Sequence, residues 1–400
     1  MEQWRKNAYV LWVAVFVAAV AWTMVMPFTP QYLEDLGQKS GIEMWSGVII
    51  STAAVCSMVM SPVWGAVGDR FGRRMMMLRA GLFLVLGNIA MSYAVGPISL
   101  LLVRAAIGGL TGFVPMAIAL VGVSTPQEHV GRALGLVQTA WPSGAIIGPV
   151  IGGIAADTVG IGRSAWVAAA MVAFATLLVF VTVKEEFSPP KTTQPNILAD
   201  LKAAASDKGL MAVVLITLTS SAAVMALEPV LVPFVNEMVG SNAPGWVSGL
   251  LFSIPGVAFI AMASWWARRG ERVGYLRTVG MGLMGSAVLY GLQTFAGDPW
   301  QLGGLRLLSG VTGAAIGPGV AALLATTVSK EMRGRAFGLN QSASSAGTIL
   351  GPLLGGYIGS YLNPRGVFAL SGLLYLVGGL WVYLVVQPMQ RRTDVTSSSV

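Results

Sequence analysis

The sequence predicts an all-α membrane protein, with twelve transmembrane helices in two six-helix bundles related by a parallel repeat. Three observations carry that expectation. The chain of 400 residues is 55% apolar and only 10% charged, against about 25% charged in soluble domains. Its charges fall in short clusters between long apolar runs, and the second half repeats the first at a fixed offset. A soluble fold this apolar would lack the polar groups to cover its surface.

A membrane helix needs roughly 20 mostly apolar residues. Read in order, the first six such runs cover residues 8–33, 44–67, 76–95, 97–121, 134–156 and 164–183. The first follows Trp4-Arg5-Lys6, as a signal peptide would, but it lacks a small-residue cleavage site and reads as a retained helix. Residues 1–183 thus form an N-terminal bundle. The polar stretch 184–208, with Ser188-Pro189-Pro190 and Pro195, is a cytoplasmic linker, in which Ile197 to Ala205 could lie on the membrane surface as an amphipathic helix. The second six runs cover 209–235, 245–267, 276–296, 299–327, 335–361 and 366–386, a C-terminal bundle spanning 209–386. A polar cytoplasmic tail, 387–400, ends the chain.

Basic residues orient the bundle, because cytoplasmic loops hold the excess of Lys and Arg. With the N-terminus inside, twenty of the twenty-five Lys and Arg are cytoplasmic, and only Lys39, Arg163 and Arg365 face outward. Both termini are then cytoplasmic, in the inner membrane of a bacterium. The net charge of +8 follows this loop pattern and forms no basic face interleaved with aromatics, so nucleic acid is not a partner. Cys56 and His129 are the only residues of their types, which excludes a Cys-based metal site, a zinc centre and a disulfide framework. With one His and no phosphate-cradling motif, neither a catalytic constellation nor ATP hydrolysis is expected, and no cofactor.

An offset of 202 places Pro27 on Pro229, Ser46-Gly47 on Ser248-Gly249, Trp64 on Trp266 and Arg104 on Arg306. After one inserted residue, Gly131-Arg132-Ala133 meets Gly334-Arg335-Ala336, and Gly148-Pro149 meets Gly351-Pro352. Helices one and seven both run outward, so the repeat is parallel, the arrangement in which two bundles rock about a midplane site.

The loop Gly65-x-x-Gly68-Asp69-Arg70-x-Gly72-Arg73-Arg74, with its weaker copy Gly270-Glu271-Arg272-Val273-Gly274, resembles the most specific motif of the major facilitator superfamily. The resemblance covers essentially the whole chain. It implies a conformational gate at Gly65, Asp69, Arg70, Gly72 and Arg73, echoed by Glu271 and Arg272, in which Asp69 locks one state through charge contacts with helix ends. The run Gly144-x-x-x-Gly148-Pro149-x-x-Gly152-Gly153 is similar to the antiporter motif of drug–proton exporters in this superfamily. Packing alone also explains its glycines, since small residues one turn apart let helix backbones approach. The second half repeats the run from Gly347 to Gly356.

Ionisable groups within a membrane helix are costly and usually functional. Three lie clearly within the expected spans, away from their ends: Arg104, Glu228 and Arg306. Arg104 opens Arg104-x-x-x-Gly108-Gly109-x-x-Gly112, and the resemblance associates that motif with proton transfer. An arginine stays charged, so it would bias a nearby carboxylate or bond backbone carbonyls across the bundle. Glu228 precedes Pro229 where the repeat has Met26, so duplication does not require an acid there. It reads as the proton-coupling carboxylate, or else as a solvated group near the outer boundary. The resemblance points to a substrate cavity whose candidate lining residues are Trp22, Phe28, Phe113, Gln138, Trp141, Phe234, Phe252 and Gln341.

Together these features point to proton-driven export of small amphipathic compounds by alternating access. The alternatives are export of one defined metabolite, such as a sugar or a lipid, and, further off, uptake by symport. Expected partners are a small-molecule substrate, protons and the bilayer, with one chain acting as a monomer.

Overall fold

The structure, a computed structural model, describes residues 2–185, 208–240, 243–328 and 333–386. Among them every regular element is a helix, and each expected span falls on one. Nine of these helices are long and apolar enough to cross a membrane. Of the remaining three spans, nine and eleven carry more Ser, Thr and Gly and fall below that apolarity, whereas the apolar stretch described in seven, Val213–Met225, is shorter than a full span. The expected linker, its surface helix and the tail fall almost entirely outside the described residues.

Four helices are broken in repeat-related pairs, and helix five is interrupted as well, at Thr139. Helix one runs Gln3–Val25, tightens to a 3-10 turn at Met26–Phe28, and resumes as Thr29–Asp35. Pro27 and Pro30 remove two backbone donors there, so the regular ladder cannot continue. Helix seven repeats the break: Lys208–Met225, a turn over 226–230 that holds Glu228-Pro229, then Leu231–Val239. Helix four divides into Pro97–Leu110 and Phe113–Ser124 around Gly112, whose φ of 118° lies in a region that disfavours a side chain. Helix ten divides in the same place of the repeat, as Pro299–Gly313 and Ile316–Thr327.

The others are helix two (Ile42–Phe71), three (Arg73–Ser92), five (Gln127–Gln138 with Ala140–Val159), six (Ile161–Thr182), eight (Gly245–Val273), nine (Tyr275–Gln293), eleven (Arg333–Tyr361) and twelve (Pro364–Trp381). Pro62, Pro149, Pro255 and Pro352 all sit inside continuous helices.

The chain forms two compact units, Met1–Thr192 with Leu231–Ser253, and Thr193–Val230 with Ile254–Val400. In the first, helix one packs on five and six, two on four, and three on six. In the second, seven packs on eleven and nine on twelve, the same pairs one repeat later. The duplication extends to single contacts. Trp64 Nε1 donates to the Gly109 carbonyl at 2.6 Å, and Trp266 Nε1 donates to the Val311 carbonyl at 2.7 Å. Gly108 abuts the Ala53 carbonyl, and Gly310 abuts the carbonyl of Pro255.

Candidate functional site

The loop between helices two and three is built as a capped helix start. Gly72, at φ 91° and ψ 141°, ends helix two and precedes helix three, a conformation that favours glycine. Asp69, at the end of helix two, accepts from Arg73 Nη2, at the start of helix three, at 2.7 Å. Helix three has no side-chain cap of its own. Its cap comes from Glu185, just past the end of helix six, whose two carboxylate oxygens accept from the backbone N–H groups of Arg73 and Arg74 at 3.0 and 2.8 Å. An anion at a helix N-terminus meets unsatisfied donors and the positive end of the helix dipole. Gly65 has open space around its Cα and Arg70 is exposed, its guanidinium 5.4 Å from the Phe71 ring. Further into helix three, Arg79 lies 3.5 Å over the Trp64 ring and donates to the Thr111 carbonyl. In the second half, Glu271 is exposed, and Arg272 lines a shallow cleft with Trp265, Arg268 and Arg269.

The antiporter-like run on helix five has two working faces. Gly144, Gly148 and Gly152 lie against helix one at Phe16, Val20, Thr23 and Met24, where a Cβ would collide with backbone carbonyls. Gly347, Gly351 and Gly355 lie on helix seven at Leu218, Ala222 and Ala226, one repeat later. Gly153 faces another way. It touches the backbone of Gly245 and Trp246, while the Pro149 carbonyl touches Gly249. Four residues beyond, Asp157 Oδ1 accepts from the Gly245 N–H at 2.8 Å and Oδ2 from Trp246 N–H at 3.3 Å. The residue before helix eight is Pro244, which has no side-chain oxygen, so Asp157 supplies the cap that helix lacks.

The buried ionisable groups divide by unit. In the first, Arg104 is 5% exposed, with its guanidinium carbon 6.0 Å from the Trp22 ring, the outer reach of a cation–π contact. In the second, Glu228 sits half-buried on the unwound turn of helix seven, where its N–H bonds the Met225 carbonyl at 3.2 Å. Its electrostatic partner there is Arg306, 6% exposed on helix ten, which also interacts with Tyr290. A carboxylate on broken backbone beside a buried cation is an arrangement able to bind and release a proton as its surroundings change.

Among the aromatic candidates, Phe28, Phe113 and Phe234 are buried to within 1%, 4% and 0% exposure. Trp22, Trp141 and Phe252 are half-buried, and the repeat-related Gln138 and Gln341 are exposed. The residue before Gln341, Asn340, accepts from the Thr217 hydroxyl at 2.6 Å, tying helix eleven to seven. His129 stacks on Trp4 with ring centroids 4.7 Å apart. No group of three or more His, Cys, Asp or Glu that could hold a metal occurs among the described residues. Glu185, Asp157 and Tyr290 were not singled out from the sequence as site residues. The only signal for Glu185 and Asp157 is an acid at a helix end, which looks the same whether solvated or capping, and Tyr290 reads as one more aromatic in an apolar span.

Comparison with known proteins bears on these features together. The model of the Major Facilitator Superfamily matches residues 11–270 and 213–398. The proteins named Multidrug resistance protein MdtG of Serratia proteamaculans and Enterobacter lignolyticus are 34% and 32% identical to this chain. The first comparison covers 98% of this chain and 97% of the relative, the second 98% and 94%. Among solved structures, the nucleoside transporter NupG superposes with a TM-score of 0.79 at 12% identity, over 96% of this chain and 99% of that one. A bacterial homolog of the human lysosomal transporter Spinster superposes with a TM-score of 0.80 at 13% identity, over 97% and 98%. At such identities the two structures bear on the fold alone.

Proposed function

This chain belongs to the Major Facilitator Superfamily, and on that premise we propose that it exports chemically varied amphipathic compounds across the bacterial inner membrane in exchange for protons. Near-full-length similarity to proteins named for multidrug resistance supports the substrate class. The antiporter-like run on helix five supports the direction. The observation that carries the coupling is Glu228, an acid present only in the second copy of the repeat, placed on the unwound turn of helix seven beside a buried arginine. Inward proton flow neutralises this carboxylate on one side of the membrane and restores its charge on the other. The two charge states favour different surroundings, so proton release and substrate release alternate.

The gradient is the energy source, and the protein needs no cofactor and performs no covalent chemistry. Arg104 serves the first half by holding a fixed positive charge against Trp22, where a lipophilic substrate or its counter-charge would be sensed. Both termini are cytoplasmic, and a single chain supplies both halves, so the monomer is the working unit.

The test is transport of a fluorescent lipophilic cation into inside-out vesicles carrying an imposed proton gradient. Wild-type vesicles accumulate the dye, and a protonophore collapses the accumulation. Glu228→Gln keeps the protein in the membrane but loses gradient-driven accumulation. Undiminished pumping by that variant would remove Glu228 from the coupling step, and no transport of any lipophilic cation by the wild type would point to one defined metabolite instead.

A further inference from the structure

We propose that Arg306, Tyr290 and Tyr375 are the positioning residues of the proton site at Glu228, a site assembled entirely within the second unit. The proposal rests on Glu228 carrying the proton and says how its surroundings make that possible.

The repeat isolates these residues. Arg306 has a counterpart in Arg104, but Glu228, Tyr290 and Tyr375 stand where the first half has Met26, Asn88 and Val172. The first half therefore keeps the arginine and lacks both the acid and the phenols. Asn88 uses its amide locally, donating to the Leu84 carbonyl at 2.8 Å.

In the second unit the added groups converge. Arg306, Ser309, Tyr290 and Tyr375 are 6%, 5%, 6% and 3% exposed. The two phenol rings lie 5.1 Å apart at 43°, and Tyr290 hydrogen bonds with both Tyr375 and Ser309. Ser309 Oγ donates to the Arg306 carbonyl at 2.7 Å. The Tyr290 oxygen in turn accepts from Tyr375. This chain holds the Tyr290 phenol in place within electrostatic reach of the Arg306 guanidinium.

A role for each group follows. The guanidinium stays charged at every accessible pH, and a buried cation left without compensation is expensive. With Glu228 ionised, the carboxylate compensates Arg306. When Glu228 takes a proton, the only covalent change is formation of its carboxyl O–H bond. The negative end of the Tyr290 dipole then becomes the group that steadies the arginine. Arg306 sets the pH at which the proton is released, and the phenols keep the neutral state from disrupting the fold.

Arg365, at the start of helix twelve, donates to the Thr294 and Ala296 carbonyls at 2.9 and 3.1 Å, just beyond the end of helix nine that carries Tyr290. Within residues 209–235 of helix seven, Glu228 is the sole ionisable side chain, and residues 247–266 of helix eight, which packs Pro255 on Gly310, contain none. Arg277 of helix nine and Tyr383 beyond helix twelve lie near the cytoplasmic end, where Tyr383 borders Gly280. On helix eleven, Arg335 lies at the start, and Tyr357 and Tyr361 lie at the end, stacked on each other.

Infrared difference spectra of the reconstituted protein test this, read beside the pH profile of dye–proton exchange. The carboxyl C=O band that disappears in Glu228→Gln reports protonation of Glu228. In Arg306→Gln, loss of the positive neighbour lets that band persist to more alkaline pH, and the exchange midpoint moves up with it by roughly one to three pH units. Arg306→Lys restores part of the shift. Tyr290→Phe, which removes one oxygen and no ring volume, and Tyr375→Phe move the midpoint and the band frequency in the folded protein even if Arg306→Gln does not fold. A band and midpoint unchanged in Arg306→Gln and both phenylalanine variants, with Glu228→Gln inactive, would overturn the positioning role alone. Full exchange in Glu228→Gln would overturn the proton site itself.

Discussion

Helix five shows how much of the site is decided by the absence of side chains. Gly152 is the tightest of its glycines, against the backbone of Met24, so even a methyl group there must displace helix one. Gly122, on helix four, has nothing within 4 Å of where its Cβ would stand. Gly152→Ala is therefore expected to destabilise the protein by about 1–3 kcal/mol through overpacking, lowering its melting temperature in detergent. Gly122→Ala should be neutral or slightly stabilising, since a helical glycine costs roughly 0.5–1 kcal/mol relative to alanine. Equal melting temperatures for the two variants would contradict the packing assignment. The sequence made these glycines visible as a spaced run but could not say which helix each one faced. Asp157 was legible only as an acid near an outer helix end, because its partners are 88 and 89 residues away along the chain. Glu228 could be read because the repeat supplies its own control, a methionine at the matching position.

Helices are where prediction and structure agree on existence and part on continuity. Each apolar run is a helix, since lipid offers backbone groups no partner outside their own segment. Breaks at Pro27 and Pro229 could be suspected from proline, yet the interior prolines 62, 149, 255 and 352 leave their helices continuous. Neighbouring helices decide which proline breaks the ladder, and no local pattern reports them. Capping was hidden for the same reason. Helix three depends on Glu185, which is 112 residues from Arg73. Removing that carboxylate leaves two helix N–H groups unpaired and removes the anion at the dipole's positive end, a loss of about 0.5–2 kcal/mol. Glu185→Ala is expected to lower thermal stability and to loosen the loop between helices two and three, seen as faster hydrogen exchange at Arg73 and Arg74. Glu185→Gln, which keeps one acceptor oxygen, should fall between. Exchange at those amides indistinguishable from wild type in Glu185→Ala would remove Glu185 as the cap of helix three.

At the scale of the whole molecule, the parallel repeat and the basic loops make a joint demand on topology. If helices one and seven run the same way, an even number of crossings separates the start of one from the start of the other, and the loops carrying Arg132 and Arg268 to Arg272 share one side. The positive-inside rule makes that side the cytoplasm. The arrangement can be tested with single cysteines in a Cys56→Ser background, using a maleimide that does not cross membranes. Ser40→Cys and Leu362→Cys occupy exposed positions beside helix ends predicted to face outward, and should be labelled in intact cells. Glu128→Cys and Arg272→Cys are also exposed in the fold, and should be labelled only after the membrane is opened. Labelling of the second pair alone in intact cells would reverse the orientation, and with it the side from which the proposed proton site is reached. Agreement at Ser40 and Glu128 but not at Leu362 and Arg272 would mean an odd number of crossings between the halves. The repeat would then be inverted, a result that the matched contacts of Trp64 with Gly109 and of Trp266 with Val311 argue against, because both tryptophans sit near the same end of their helices.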